Sequence, residues 1–107
     1  MLIVNTETIA QKEITQTLGL VRGNSTRARF FGRDIVAFFK NLGGGEISEY
    51  SDLLTRTRNA AIDRMIREAE KLGADAVINV RFNTANIAQG VSEILAFGTA
   101  VKIKDID

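Results

Sequence analysis

The sequence lacks four residue types altogether: its 107 residues include no cysteine, histidine, proline or tryptophan. Without cysteine, the chain has no disulfide, no thiolate nucleophile and no cysteine-ligated zinc or iron–sulfur site. Without histidine, it has no Ser–His–Asp triad and no HExxH zinc site. The remaining chemistry belongs to carboxylates, lysine, tyrosine and the backbone. We therefore interpret the chain as a binding protein rather than an enzyme, and we expect neither a cofactor nor a metal.

Strong charge and long apolar runs are also missing. The net charge is +1 with 25% charged residues, whereas a dedicated nucleic-acid module is usually more basic. The longest nearly apolar run, residues 94–101, is far too short to cross a bilayer. Residues 1–8 have neither the basic region nor the long apolar region of a signal peptide. These features predict a cytoplasmic protein without a nucleic-acid or membrane partner.

The hydrophobic pattern predicts a single domain over residues 1–107 with four strands and two helices. Alternating or short apolar runs predict strands at residues 2–4, 13–24, 76–83 and 93–103. Apolar residues at helical spacing predict a short helix at residues 27–42 and a long one at residues 50–72. The fold class predicted is α+β, with an antiparallel sheet of three to four strands packed on the long helix and a short extra helix.

The long helix has the clearest pattern. Ser48 is placed to cap its start, and Gly73 to occupy the left-handed position after its end. One side of the helix is predicted to be buried, and it comprises Leu54, Ala61, Ile62, Met65, Ile66, Ala69 and Leu72. The solvent-exposed side has two pairs of residues at the i,i+4 spacing of ion pairs, Asp63 with Arg67 and Arg64 with Glu68.

The last strand is apolar on both sides, which predicts that both of its faces are covered. A single long helix can cover one face, so we expect a second subunit on the other. We place Ile94 and Ala96 of this strand at that interface. Phe38 and Phe39 are further interface candidates, because a short surface helix cannot bury a cluster of phenylalanines by itself. The alternative is that all four residues fill the core of one chain.

Four arginines make the sequence locally basic: Arg22, Arg27, Arg29 and Arg33. Guanidinium groups bind phosphate and carboxylate with paired hydrogen bonds, so these residues are candidates for binding an anionic ligand. The alternative is that they form ion pairs with acids on the long helix or on a neighbouring subunit.

Several sequence blocks, in order and nearly end to end, resemble the YbjQ-like family. The blocks are residues 18–24 (LGLVRGN), 27–29 (RAR), 32–35 (GRDI), 44–50 (GGEISEY) and 72–82 (LGADAVINVRF). The resemblance implies a dodecin-like α+β subunit whose antiparallel sheet is backed by the long helix. It also implies assembly into homopentamers or pairs of pentamers. The family carries a heavy-metal-binding label, but its activity is uncharacterised.

Three hypotheses follow for function. The first is a non-enzymatic homo-oligomer, a pentamer or decamer, that acts as a binding or scaffolding module with any ligand at a subunit interface. The second is a carboxylate-dependent enzyme with a hard divalent cation, for which symmetry could gather copies of Glu7, Glu46 or Glu49. The third is the metal-binding role of the family label. The third is disfavoured because soft metals prefer thiolate and imidazole ligands, which this chain lacks.

Overall fold

The computed structural model describes residues 1–26, 47–88 and 91–106. This part of the chain is α+β, as predicted. Its elements are strand β1 (Leu2–Ile3), strand β2 (Lys12–Thr26), helix α1 (Ile47–Lys71), strand β3 (Ala76–Ala88) and strand β4 (Val91–Asp105). The predicted short helix at residues 27–42 lies outside the described residues.

The four strands form one sheet in the order β1-β3-β4-β2. β4 pairs antiparallel with both β2 and β3, whereas β1 pairs parallel with β3 through Leu2 and Ile3. The sheet is therefore mixed, and the prediction of a purely antiparallel sheet is wrong at this edge. β1 lies parallel to β3 because the chain crosses the sheet and runs through β2 and α1 before it returns as β3.

Helix α1 packs on one face of the sheet, mainly over β2 and β4. We call this the inner face. On the helix, Ala61, Met65 and Ala69 are completely buried, as the periodicity predicted. They pack against small side chains of β4, where Ala96 and Ala100 are also completely buried. Small residues in both layers let the helix approach the sheet closely.

The predicted end of α1 is correct, whereas the predicted start is not. The helix begins at Ile47, so Ser48 lies inside it and does not precede it as a cap. The other end is as predicted: Gly73 has a φ of 76° and donates to the Glu70 carbonyl at 3.0 Å, while Ala74 donates to the Ala69 carbonyl at 3.1 Å. This is a Schellman ending. Leu72 lies in that turn and is 46% exposed, which corrects its assignment to the buried side.

Gly23 sets the closest approach between α1 and the sheet. A Cβ atom at this position would clash with the Ala61 carbonyl oxygen and the Met65 amide nitrogen, and would lie 2.7 Å from the Arg64 Cβ. Two of these three atoms belong to the helix backbone and cannot move aside alone. Glycine is therefore required for the packing of β2 against α1.

The opposite, outer face of the sheet is only partly covered. The segment of residues 4–11, here called the crossing segment, connects β1 at one edge with β2 at the other. Val4 and Ile9 of this segment pack on a second cluster that contains Ala76, Ile78 and Val101. Further along β4, residues Leu95, Phe97 and Thr99 remain half-buried on this face.

Irregularities in the pairing change which face a side chain occupies. Between Ile78 and Arg81, β3 has one more residue than β4, and Asn79 there has a φ of 54°. Ile78 consequently packs in the outer cluster and Val80 in the inner one. The regular alternation from which a strand is predicted at residues 76–83 is therefore interrupted, and Ala76 and Ile78 do not share a face with Val80.

Two similar shifts occur in β2, between Ile14 and Gln16 and between Thr17 and Gly19. They separate Leu18, which packs against the inner cluster, from Leu20, which is 66% exposed. The simple alternation predicted for this strand is therefore broken.

Candidate functional site

The structure describes only part of the predicted anion site and interface. Arg22 is an exposed residue of β2. The other arginine candidates, Arg27, Arg29 and Arg33, lie outside the described residues, and so do Phe38 and Phe39.

Ile94 and Ala96 are 4% and 0% exposed beneath α1. A neighbouring subunit could not reach them without displacing the helix, so their position corrects the expectation that they form an interface. The side of β4 that α1 leaves uncovered is the outer face, where Leu95, Phe97 and Thr99 are half-buried.

A basic groove runs between the edge strand β2 and the helix. It encloses about 280 Å³ and is lined by Arg22, Gly23, Asn24, Arg64, Arg67, Glu68 and Lys71. Among the described residues, this lining has four cations and one carboxylate, although the whole chain has a net charge of only +1. Positive charge is therefore concentrated at this edge.

The helix supplies three of these cations from one side. Arg64, Arg67 and Lys71 have the spacing i, i+3, i+7, which places them in a row along α1. The close contact at Gly23 brings this row against β2. The groove thus depends on the helical periodicity and on one residue without a side chain.

The polar contacts within the basic groove leave two arginines unpaired. The Arg64 guanidinium donates to the Asn24 carbonyl oxygen, which fixes it against the strand. Lys71 lies 3.9 Å from the Glu68 carboxylate, and both side chains are more than half exposed. Within the part of the chain that is described, Arg22 and Arg67 have no hydrogen-bond or ion-pair partner. The predicted pair of Arg64 with Glu68 is thus replaced by contacts with Asn24 and Lys71, and the predicted pair of Asp63 with Arg67 does not form.

Exposed apolar side chains lie at both edges of the sheet. At the β2 edge, Leu20 and Leu72 line a second cavity of about 280 Å³ that adjoins the basic groove. At the opposite edge, a larger cavity of about 520 Å³ is lined by Ile3, Val4, Asn5, Val80, Arg81 and Phe82. We call it the apolar hollow. Phe82 is 47% exposed there because α1 hardly reaches β3.

Arg81 lines the apolar hollow and has partners of its own. Its guanidinium donates to the Asn5 carbonyl at 2.8 Å and to the Val80 carbonyl at 3.1 Å. These bonds tie β3 to the crossing segment. Arg81 therefore has a structural role that Arg67 does not have.

The sequence missed the helix cations and the two exposed apolar residues. Arg64, Arg67 and Lys71 were present at a regular spacing, but that spacing also suits ion pairs along a helix. Leu20 and Phe82 lie in the predicted strands, but the pairing shifts before Leu20 and the small overlap of α1 with β3 at Phe82 have no clear signature in the sequence.

In residues 1–26, 47–88 and 91–106, no three or more aspartate or glutamate side chains are grouped as metal ligands. The helix that the structure describes is not apolar enough over 18 residues to span a membrane.

Comparison with known proteins places the chain in a family. Residues 1–104 match the YbjQ family model, described as "Putative heavy-metal-binding". A UPF0145 protein of Halorubrum lacusprofundi is 59% identical over 104 residues, which cover 97% of this chain and all of the relative. A UPF0145 protein of Pseudothermotoga lettingae is 54% identical over 106 residues, covering 99% of this chain and all of the relative.

A solved structure has the same fold. It is a protein of unknown function of the DUF74 family from Pediococcus pentosaceus, with a TM-score of 0.63 and 19% identity. The alignment covers 97% of this chain and 98% of that one. The likeness supports the fold alone, whereas the sequence matches along nearly the whole chain establish the family. The chain belongs to the YbjQ, or UPF0145, family.

Proposed function

We propose that this chain is the subunit of a homo-oligomer that acts as a non-enzymatic binding or scaffolding module. The observation that carries the proposal is the presence of two different exposed apolar surfaces at opposite edges of the sheet. One contains Leu20, which is 66% exposed on β2, and the other is the apolar hollow with Phe82, which is 47% exposed. Such surfaces are typical of protein contacts.

Two unlike surfaces favour a ring. A two-fold dimer joins a surface to a second copy of itself, whereas a ring with an odd number of subunits must join two different surfaces head to tail. The surface at the β2 edge differs from the surface at the apolar hollow, so we propose that the first joins the second of the next subunit, head to tail. The resemblance found in the sequence implies a dodecin-like pentamer or a pair of pentamers, and that is the assembly we propose.

The sheet edges support the same arrangement. β2 is an edge strand of 15 residues, and β1 pairs with only the start of β3. Long unpaired edges tend to associate with other strands unless they are covered. In the proposed ring, each subunit would cover the β2 edge of one neighbour with its own β3 edge.

The first experiment tests the subunit count by native mass spectrometry and light scattering at micromolar concentration. We expect a pentamer or decamer. Leu20→Glu and Phe82→Glu should each give monomers, because each places a charge in one half of the contact. Ala10→Glu, at an exposed position of the crossing segment, is the matched control and should assemble as the wild type does.

Mixing the two variants tests the head-to-tail contact itself. Leu20→Glu retains an intact hollow, and Phe82→Glu retains an intact β2 edge. Together they should form a one-to-one dimer that cannot extend into a ring. A monomeric wild type would overturn the proposed oligomer, and an unchanged mass for both variants would overturn the proposed contact.

The other two hypotheses find less support. The metal-binding description applies to the family model, but this chain has neither histidine nor cysteine to bind a soft metal. A carboxylate-dependent enzyme needs two acidic groups at one site. Among the described residues, the lining of each cavity includes at most one acidic group, that of Glu68. The cytoplasmic location stays a prediction from the sequence.

A further inference from the structure

We infer that the basic groove binds a small phosphorylated ligand with at least two phosphoryl groups. This inference deepens the proposed binding role, since it assigns a ligand class to one site. The described residues that line the groove belong to one chain, and the proposed subunit contact at Leu20 adjoins them, so the test must separate ligand binding from assembly.

The charge of the groove indicates an anion. Arg22, Arg64, Arg67 and Lys71 face one carboxylate, that of Glu68. Arg67 and Lys71 are also i,i+4 neighbours of like charge, an arrangement that weakens a helix unless something offsets the repulsion. Lys71 is explained by its place in the last turn, where a cation interacts favourably with the helix dipole. Arg64 and Arg67 lie further from that end.

The pairing within the groove indicates where an anion would bind. Arg64 already donates to the Asn24 carbonyl oxygen, and Lys71 has Glu68 nearby. Arg67 and Arg22 have no partner among the described residues, so their guanidinium donors are available. A guanidinium can donate two parallel hydrogen bonds to a phosphoryl group. The guanidinium groups of Arg22 and Arg67, with Arg64 and Lys71 beside them, match a ligand that carries more than one phosphoryl group.

The dimensions of the groove favour a small molecule over a nucleic acid strand. Its volume of about 280 Å³ is just below the range of about 300–1,000 Å³ that is usual for drug-sized ligands, so it suits a smaller molecule. Nucleic-acid grooves combine cations with exposed aromatic side chains on which bases stack. Among the residues that the structure describes, those that line this groove include no aromatic side chain.

The probe is inorganic pyrophosphate, titrated calorimetrically into the full-length protein at constant ionic strength. We expect saturable binding of one pyrophosphate per chain, and weaker binding of orthophosphate, which can engage fewer cations. Arg67→Glu should weaken pyrophosphate binding at least about tenfold, which corresponds to the loss of one charged hydrogen-bonding group. The pyrophosphate affinity of Arg67→Lys should lie between those of the wild type and Arg67→Glu, because lysine keeps the charge but cannot donate two parallel hydrogen bonds.

Arg58→Glu is the matched control. Arg58 is an exposed arginine of the same helix that does not line the groove. This variant makes the same change in net charge, and its affinity should stay within about twofold of wild type, since surface charges beyond the Debye length are screened.

Three outcomes would overturn the inference. The first is the absence of saturable pyrophosphate binding by the wild type at millimolar concentration. The second is an equal loss of affinity in the Arg58 and Arg67 variants. The third is binding of a single-stranded RNA oligonucleotide that pyrophosphate does not displace.

The native mass of Arg67→Glu separates this inference from the proposed oligomer. An unchanged mass with weakened pyrophosphate binding supports the ligand site. A monomeric Arg67→Glu, together with a wild type that does not bind pyrophosphate, would instead assign the arginine to a subunit contact.

Discussion

The two faces of β4 are built from different side chains. The inner side contains Ala96 and Ala100, which are completely buried under α1. The outer side contains larger residues, among them Leu95 and Phe97, which are only half-buried. The smaller residues thus lie where the chain covers itself, and larger ones where part of the surface stays open. The difference indicates that the inner face supplies the stability of one chain and that the outer face and its edges are available for association.

The largest effect should come from the inner face. Met65→Ala removes most of a completely buried side chain from between α1 and the sheet. We expect a loss of about 2–5 kcal/mol in the free energy of unfolding, because the truncation leaves a cavity. Urea denaturation measures it. Leu20→Ala, at a 66% exposed site, should cost less than about 0.5 kcal/mol when measured with monomeric protein. Equal losses at both positions would contradict the division between the faces.

An addition to the inner face should also destabilise the chain, by a somewhat smaller amount. Gly23→Ala introduces a methyl group against the backbone of α1 at Ala61 and Met65. Overpacking of this kind costs about 1–3 kcal/mol. The same denaturation experiment measures it, with Gln16→Ala at an exposed position of β2 as the control. Wild-type stability in Gly23→Ala would mean that the helix does not touch the strand at this point.

The smallest effect is expected at the exposed end of the sheet. Lys12 and Asp105 face each other on β2 and β4 and form an ion pair whose side chains are 36% and 78% exposed. Such pairs contribute about 0–1 kcal/mol. A double-mutant cycle with Lys12→Ala and Asp105→Ala measures the coupling, which should shrink further in 1 M salt. A coupling above about 2 kcal/mol would show that the end of the sheet is less solvated than its exposure indicates.

Long elements with a strong period could be predicted from the sequence. The apolar spacing of Ala61, Met65 and Ala69 located the buried side of α1, and Gly73 located its end. These features are local, so a few neighbouring residues determine them. The two-residue strand β1 was also located, but its parallel pairing with β3 depends on contacts 74 residues apart in the chain, between Leu2 and Ala76.

The faces of β2 and β3 could not be predicted in the same way. One extra residue in a strand reverses the side on which every later residue lies. Asn79 adopts a positive φ, which asparagine tolerates better than most residues, but a single asparagine in a strand does not by itself mark an extra residue. The basic groove was missed for a related reason. The row of Arg64, Arg67 and Lys71 was visible, but its proximity to Arg22 required the packing of α1 on β2 at Gly23.

The irregularity at Asn79 also has a consequence for chain length. Ile78 pairs with Thr99 and Arg81 with Phe97, so two residues of β3 lie opposite one residue of β4. A chain shortened by one residue here could keep both registers. It would lose the amide of Asn79 that donates to the Thr6 carbonyl at 2.9 Å. The extra residue is therefore not needed to pair the strands, and its amide adds a third hydrogen bond to the two by which Val4 attaches the crossing segment to Val77 and Val80.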